Sequence, residues 1–266
     1  MGWTYLSIFY LVSLGACSVG FKKYVYFLSV GYGFAVALLG VGIIWVMNST
    51  MSLVNYVQCL LLVLYGARLS GFLIYRERKA AAYRKTLAEA TTNEDRMSVW
   101  IKAAIWVSVA ALYVGQASPV FFRIYNGRPD TPLAWAGVLI SAAALWLESE
   151  ADREKSAQKR TRPDMVAMQG LYRLVRCPNY LGEILFWTGV LVGGLDILQG
   201  TGQWLMSVLS WIAITAIMFG GARRLEKRQE GRYGAKEEYR RYADHTPILI
   251  PWVPLYHLIP IQRKDS

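Results

Sequence analysis

At 266 residues the chain is long enough for one or two soluble domains, but 55% hydrophobic residues, ten tryptophans and only 18% charged residues exclude an ordinary water-soluble core. The formal charge of +11 sits on Lys and Arg in short segments between apolar blocks, a distribution that orients a membrane protein and makes nucleic acid an unexpected partner. Cys17, Cys59 and Cys177 are far apart, and the two histidines, His245 and His257, lie near the C-terminus, so no metal site is expected.

Taken from the N-terminus, apolar runs at 5–21, 24–47, 51–75, 97–122, 133–147, 180–198 and 204–219 each approach the roughly 20 residues that cross hydrocarbon. They predict an all-α, polytopic membrane helix bundle of about seven transmembrane helices, forming a single transmembrane domain over 1–266. The first run lacks a basic leader and is followed by Lys22 and Lys23, as in a retained span. Basic residues follow the odd-numbered runs: Lys22 and Lys23; Arg76, Arg78, Lys79, Arg84, Lys85 and Arg96; Arg153, Lys155, Lys159, Arg160 and Arg162; and Arg223, Arg224, Lys227 and Arg228. The opposite loops carry only Arg123 and Arg128, and residues 48–50 form a tight turn there. This pattern predicts an outside N-terminus and a cytoplasmic C-terminus. The polar stretches 76–96 and 152–180 exceed what mere connections require, and are where ligand contacts are expected.

The third run carries Asn55, Gln58, Tyr65 and Arg68, preceded by Asn48, at spacings of seven, three, seven and three that predict one helical face. Amides and a guanidinium facing lipid are costly, so this face points into the bundle or a wet cavity. Asn48 and Asn55 also suit simple bonding between helices. At the end of the fifth run, Glu148, Asp152, Lys155 and Lys159 follow one another at four, three and four residues, along one side of a continuing helix. Such a face is either solvated and self-paired or suited to a nucleotide, with carboxylates accepting from sugar or base and Lys neutralising phosphate.

The segment 170–183 reads Gly-Leu-Tyr-Arg-Leu-Val-Arg-Cys-Pro-Asn-Tyr-Leu-Gly-Glu and enters the sixth run. Arg173 and Arg176 sit at the interface, Pro178 suits a first helical turn, and Asn179 and Glu183 fall one turn apart on an inward face. Tyr180 suits the aromatic belt. A carboxylate buried at the start of an apolar helix demands a partner. The tail from Tyr233 through Tyr239 and Tyr242 to Pro251 and Trp252 alternates Tyr with charge before an apolar strip, suiting either a cap over a cytoplasmic opening or an interfacial anchor.

These residues resemble the signature of the steroid 5-alpha-reductase superfamily, in particular its bacterial membrane branch. Gly-Leu-Tyr-Arg followed by Arg-Cys-Pro-Asn-Tyr-Leu-Gly-Glu carries the likeness, supported by the order of Tyr65 and Arg68, Glu148 and Asp152, and the tail's Ile-Pro-Trp. The resemblance implies NADPH as hydride donor to a conjugated carbon–carbon double bond of a hydrophobic, steroid- or lipid-like substrate in a bacterial cytoplasmic membrane; a monomer is expected. It implies substrate-side helices within 1–75 and a cofactor side within 76–266. Asn179 and Glu183 would hold the nicotinamide end, Asp152 and Glu148 the nucleoside, and Arg68, Lys159, Arg173 and Arg176 the phosphates, with Tyr180 a further cofactor contact. Tyr233 and Tyr242 would also contact the cofactor. Tyr65 would meet a substrate carbonyl and, with Glu183, carry the catalytic roles, with Asn48, Asn55 and Gln58 as substrate contacts. A phenol hydrogen bond in a dry pocket stabilises the negative charge that hydride addition leaves on a carbonyl oxygen. Cys177 stands where relatives carry His, and no carboxylate precedes Glu77, so a neutral amide would take the place of the acid that steroid reductases pair with their substrate-contacting Tyr. The competing expectations are a membrane methyltransferase of the isoprenylcysteine or phospholipid kind using S-adenosylmethionine, and a non-enzymatic lipid-binding protein.

Overall fold

The structure is a computed structural model that describes residues 2–79, 84, 87–88 and 97–260. Most of the stretch 76–96, including Lys85 and Arg96, therefore lies outside the described residues. The regular structure among them is helical: α1 Gly2–Cys17, α2 Val30–Met47, α3 Leu53–Lys79, α4 Val99–Tyr125, α5 Pro132–Thr161, α6 Pro178–Val192, α7 Gly200–Tyr233 and α8 Glu237–His245. Short 3-10 turns at Ser18–Phe21, Tyr24–Leu28, Asn48–Thr50 and Gly170–Arg173 link or precede them.

Among the described residues six segments are long and apolar enough to cross a membrane: Gly2–Phe21, Tyr24–Thr50, Leu53–Lys79, Val99–Tyr125, Pro132–Thr161 and Gly200–Tyr233. The run at 180–198 forms a shorter helix than expected, the 15-residue α6. At 1.5 Å per residue it reaches about 22 Å against a hydrocarbon core of about 30 Å. Its start is set by Pro178, whose missing N–H costs nothing in a first turn. Its end is set by Gly193 and Gly194, whose N–H groups close onto Gly189 O and Leu191 O at 2.9 Å.

Packing divides the chain into two compact units, residues 1–138 with 189–211 and residues 139–188 with 212–266. In the first, α2 and α3 approach backbone to backbone. A side chain on Gly33 would meet Gly66 O at 2.6 Å, one on Gly66 would meet Gly33 O at 2.2 Å, and one on Gly40 would meet Cys59 O at 2.8 Å. The hydroxyl of Ser70 donates to Val30 O at 2.8 Å, so the register 30–70, 33–66, 40–59 is antiparallel. Small residues at such a seam let dispersion and weak polar contacts replace the hydrophobic drive that lipid removes. Arg123 is not the loop charge its position suggests. Its side chain is fully buried, paired with Asp196, and donates to Gly193 O at 2.7 Å and Pro129 O at 3.1 Å.

In the second unit α5 and α6 run antiparallel. Ser141 donates to Phe186 O at 3.0 Å, Glu148 packs over Gly182, and Asp152 meets Asn179. The charged half of α5 stays helical through Thr161, as the four-residue spacing of its charges predicts. The connecting loop is fastened to it: Gln158 accepts from Met168 N and Gln169 N, and Glu154 accepts from Leu171 N at 2.8 Å. Gly170 adopts φ +64 with the Glu154 carboxylate where a Cβ would project, a place only glycine fills.

Candidate functional site

The second unit gathers the polar residues of α5 and α6 into one connected cluster. Asn179, in the first turn of α6, donates through Nδ2 to Asp152 Oδ1 at 2.8 Å. Its Oδ1 accepts from the Tyr172 hydroxyl at 3.0 Å, and that hydroxyl also lies 3.3 Å from Ala151 O. Tyr242 donates to Tyr172 O at 2.7 Å, tying α8 to the same loop. Burial, then the charge of Asp152, pushes the Tyr172 phenol well above the ordinary tyrosine range, and burial does the same to Tyr242. Both are neutral hydrogen-bond donors at physiological pH.

One turn further along each helix lie the other two acids. Glu148 is 2% exposed against Gly182, and Glu183 is 6% exposed, accepting from Trp187 Nε1 at 3.0 Å. Gly182 is required here, because a methyl at its Cα would meet Glu148 Cγ at 2.3 Å. Asp152, Asn179, Glu148 and Glu183 thus occupy two successive turns of facing helices.

The remaining cofactor candidates of this unit fall into separate loci. Lys159 donates to Tyr233 Oη at 3.1 Å and to the carbonyls of Pro163 and Met165, with its ammonium 5.3 Å from the Tyr233 ring centre. Arg176 and Glu226 have side chains each 1% exposed and pair at 2.6 Å. Glu226 also accepts from Leu258 N, and His257 bridges it to Asp244 at 2.9 and 3.0 Å. Arg176 N and Cys177 N donate to Pro247 O and Ile248 O, so this network pins the tail. Nε and Nη1 of Arg176 are buried and make no hydrogen bond among the described residues. Arg173 is exposed. Tyr180 packs beside Cys177, Ala222, Ile248 and Leu249, and burial pushes the Cys177 thiol up to about 12.

The first unit holds the other candidates. Tyr65 is fully buried and donates to Tyr32 Oη at 3.2 Å, and the Tyr32 ring stacks on Tyr113 at 4.4 Å. Asn55 and Gln58 are buried on the same face of α3, and Arg68 is half-buried on it. Asn48 does not share that face. The 3-10 turn Asn48–Thr50 interrupts the helix, leaving Asn48 exposed and accepting from the Tyr56 hydroxyl at 3.1 Å through its carbonyl.

Sequence reasoning passed over Tyr172, Glu226, His257, Tyr32 and Gln116. Tyr172 stands in the quoted motif and Gln116 is a lone amide in an apolar run, so both carried a signal. The partners of Arg176 lie 50 or more residues away and carried none.

Fold and cluster together define a multi-pass helical membrane protein with two buried carboxylates and a half-buried Asn–Asp pair where two antiparallel helices meet. A model of the family described as "Protein of unknown function (DUF1295)" matches residues 20–246. The chain is 25% identical over 205 residues to "Steroid 5-alpha-reductase DET2" of Gossypium hirsutum, a match covering 70% of this chain and 69% of that protein. No solved structure matches the chain significantly. The chain belongs to the DUF1295 family, within the steroid 5-alpha-reductase-like superfamily.

Proposed function

We propose that the protein is an NADPH-dependent membrane reductase that delivers hydride to a conjugated carbon–carbon double bond of a hydrophobic, lipid-like substrate. The observation that carries this reading is the bonded set Tyr172, Asn179 and Asp152, with the buried acids Glu148 and Glu183 one turn away where α5 and α6 meet. Buried acids are retained at such cost where a ligand uses them.

The donor and acceptor chemistry of these residues suits a reduced dinucleotide. Asn179 and Glu183 offer an amide and a carboxylate to a carboxamide, Asp152 and Glu148 accept from ribose hydroxyls, and Tyr180, Tyr233 and Tyr242 supply aromatic walls. Arg176, with Nε and Nη1 still available, and the exposed Arg173 suit phosphate, joined by Lys159 on a different donor set. When bound, NADPH supplies the hydride, and the protein supplies position, charge and exclusion of water. The polar interior of the first unit, with Tyr65, Asn55 and Gln58, is assigned to the substrate, Tyr65 acting as donor to a carbonyl oxygen. In this reading the basic segments face the cytoplasm, and the host membrane is a bacterial cytoplasmic membrane.

A thermal-shift comparison tests the class. NADPH raises the melting temperature more than NADH does, and S-adenosylmethionine leaves it unchanged, because a ligand that binds only the folded state stabilises it by mass action. Stabilisation by S-adenosylmethionine alone assigns a methyltransferase instead, and indifference to all three leaves lipid binding without chemistry.

A further inference from the structure

We propose that Gln116, together with Gln58 and Asn55, forms a polar subsite inside the first unit for an uncharged hydroxyl or carbonyl group of a lipid-like ligand. The inference deepens the reading above, on which it rests, by naming the chemistry of the substrate's polar end.

Gln116 of α4 is 3% exposed, Asn55 2% and Gln58 6%. Both Oε1 and Nε2 of Gln116, Oδ1 of Asn55 and Oε1 of Gln58 are buried and make no hydrogen bond among the described residues. A buried amide left unsatisfied carries its full desolvation penalty. Three in one apolar unit are not incidental packing.

The glycine turn after α6 touches both α3 and α4. A Cβ on Gly193 would meet Gln58 Nε2 at 2.5 Å, and one on Gly194 would meet Pro119 Cβ at 2.6 Å. Pro119 lies one turn beyond Gln116 on α4, so the two adjacent glycines touch Gln58 on α3 and, on α4, the residue one turn from Gln116. From there the stripe runs along α3 to Tyr65 and, through Tyr32, to Tyr113, one turn before Gln116 on α4.

Charge decides the ligand class. Among the described residues of α1 to α4 the sole carboxylate is Glu77, which is engaged by Lys23 and Tyr26, each at 2.5 Å. Arg123 of α4, fully buried, is paired with Asp196. Arg68 lies ten residues from Gln58 on α3, about 15 Å along the axis. An ammonium would find no acid here and a carboxylate no committed cation, whereas a hydroxyl or carbonyl would satisfy amides that both donate and accept.

The test uses the full chain in nanodiscs, with cholest-4-en-3-one, geranylgeraniol and oleate as probes and thermal stabilisation as readout. The two neutral probes stabilise the wild type and oleate does not. Gln116→Leu and Gln58→Leu weaken the neutral probes' apparent affinity about ten-fold or more, and Gly193→Ala does the same by displacing the Gln58 amide. Ligand-free Gln116→Leu melts no lower than wild type, because an apolar replacement removes an unsatisfied group, and its response to NADPH is unchanged. The proposal is overturned if Gln116→Leu keeps neutral-probe affinity within about two-fold of wild type, if oleate stabilises equally, or if neither neutral probe stabilises the wild type. Lipid stabilisation that depends on Gln116 in a wild type that NADPH fails to stabilise supports the subsite and removes the reductase reading.

Discussion

Asn179 and Asp152, 27 residues apart in sequence, share a 2.8 Å hydrogen bond at the crossing of α6 and α5, and the same amide accepts from Tyr172 on its other side. The amide is the middle member of a chain whose outer members are a phenol and a carboxylate. Whatever enters the site meets groups already oriented by one another.

Asn179→Leu tests that middle position. It strips Tyr172 and Asp152 of a partner at once, and the loss of two such hydrogen bonds costs about 1 kcal/mol each. The variant melts lower than wild type in the absence of ligand. A melting temperature equal to wild type would mean that the chain of bonds does not form.

The buried pair Arg176 and Glu226 gives a second expectation. Removing one partner, as in Arg176→Met, leaves a carboxylate 1% exposed without its cation and costs about 3–5 kcal/mol. Arg176→Met with Glu226→Leu recovers part of that loss, since Glu226 also holds Leu258 N and His257. Limited proteolysis reads the local consequence: the tail beyond residue 247 is cut faster in the single variant than in wild type.

The raised phenol of Tyr172 predicts an alkaline limit to stability. Tyrosines in an unfolded chain ionise near 10.0, while Tyr172 in the folded chain holds its proton to higher pH. Its contribution is fully present below pH 10 and is lost as pH rises through the folded value. Melting temperature measured against pH falls above about 10, and Tyr172→Phe, which has no proton to lose, falls less steeply. Parallel curves for the two proteins would contradict the burial of this hydroxyl beside Asp152.

Much of the site was legible because helical spacing is local. Glu148 and Asp152, like Asn179 and Glu183, lie four residues apart, and a four-residue spacing fixes a shared face before any tertiary contact is known. The same logic failed at Asn48, where a 3-10 turn breaks the period that carried the argument across it. It overlooked Gln116, although an amide in an apolar run is as costly on α4 as on α3. Arg123 read as a loop charge because its acid, Asp196, is 73 residues away, and Arg176 read as an interfacial charge because Glu226 is 50 away. Pairings between distant residues leave no mark on local pattern. The brevity of α6 was written in Gly193 and Gly194, whose tight surroundings only the packed bundle reveals.

The most direct measurement is an equilibrium titration of the full chain in nanodiscs with NADPH and NADH, for wild type and Glu183→Ala. Wild type binds NADPH more tightly than NADH, and Glu183→Ala loses about ten-fold or more in NADPH affinity, the worth of a buried hydrogen bond to a charged group. Unchanged NADPH affinity in Glu183→Ala would contradict the assignment of the α5–α6 acids to a reduced dinucleotide.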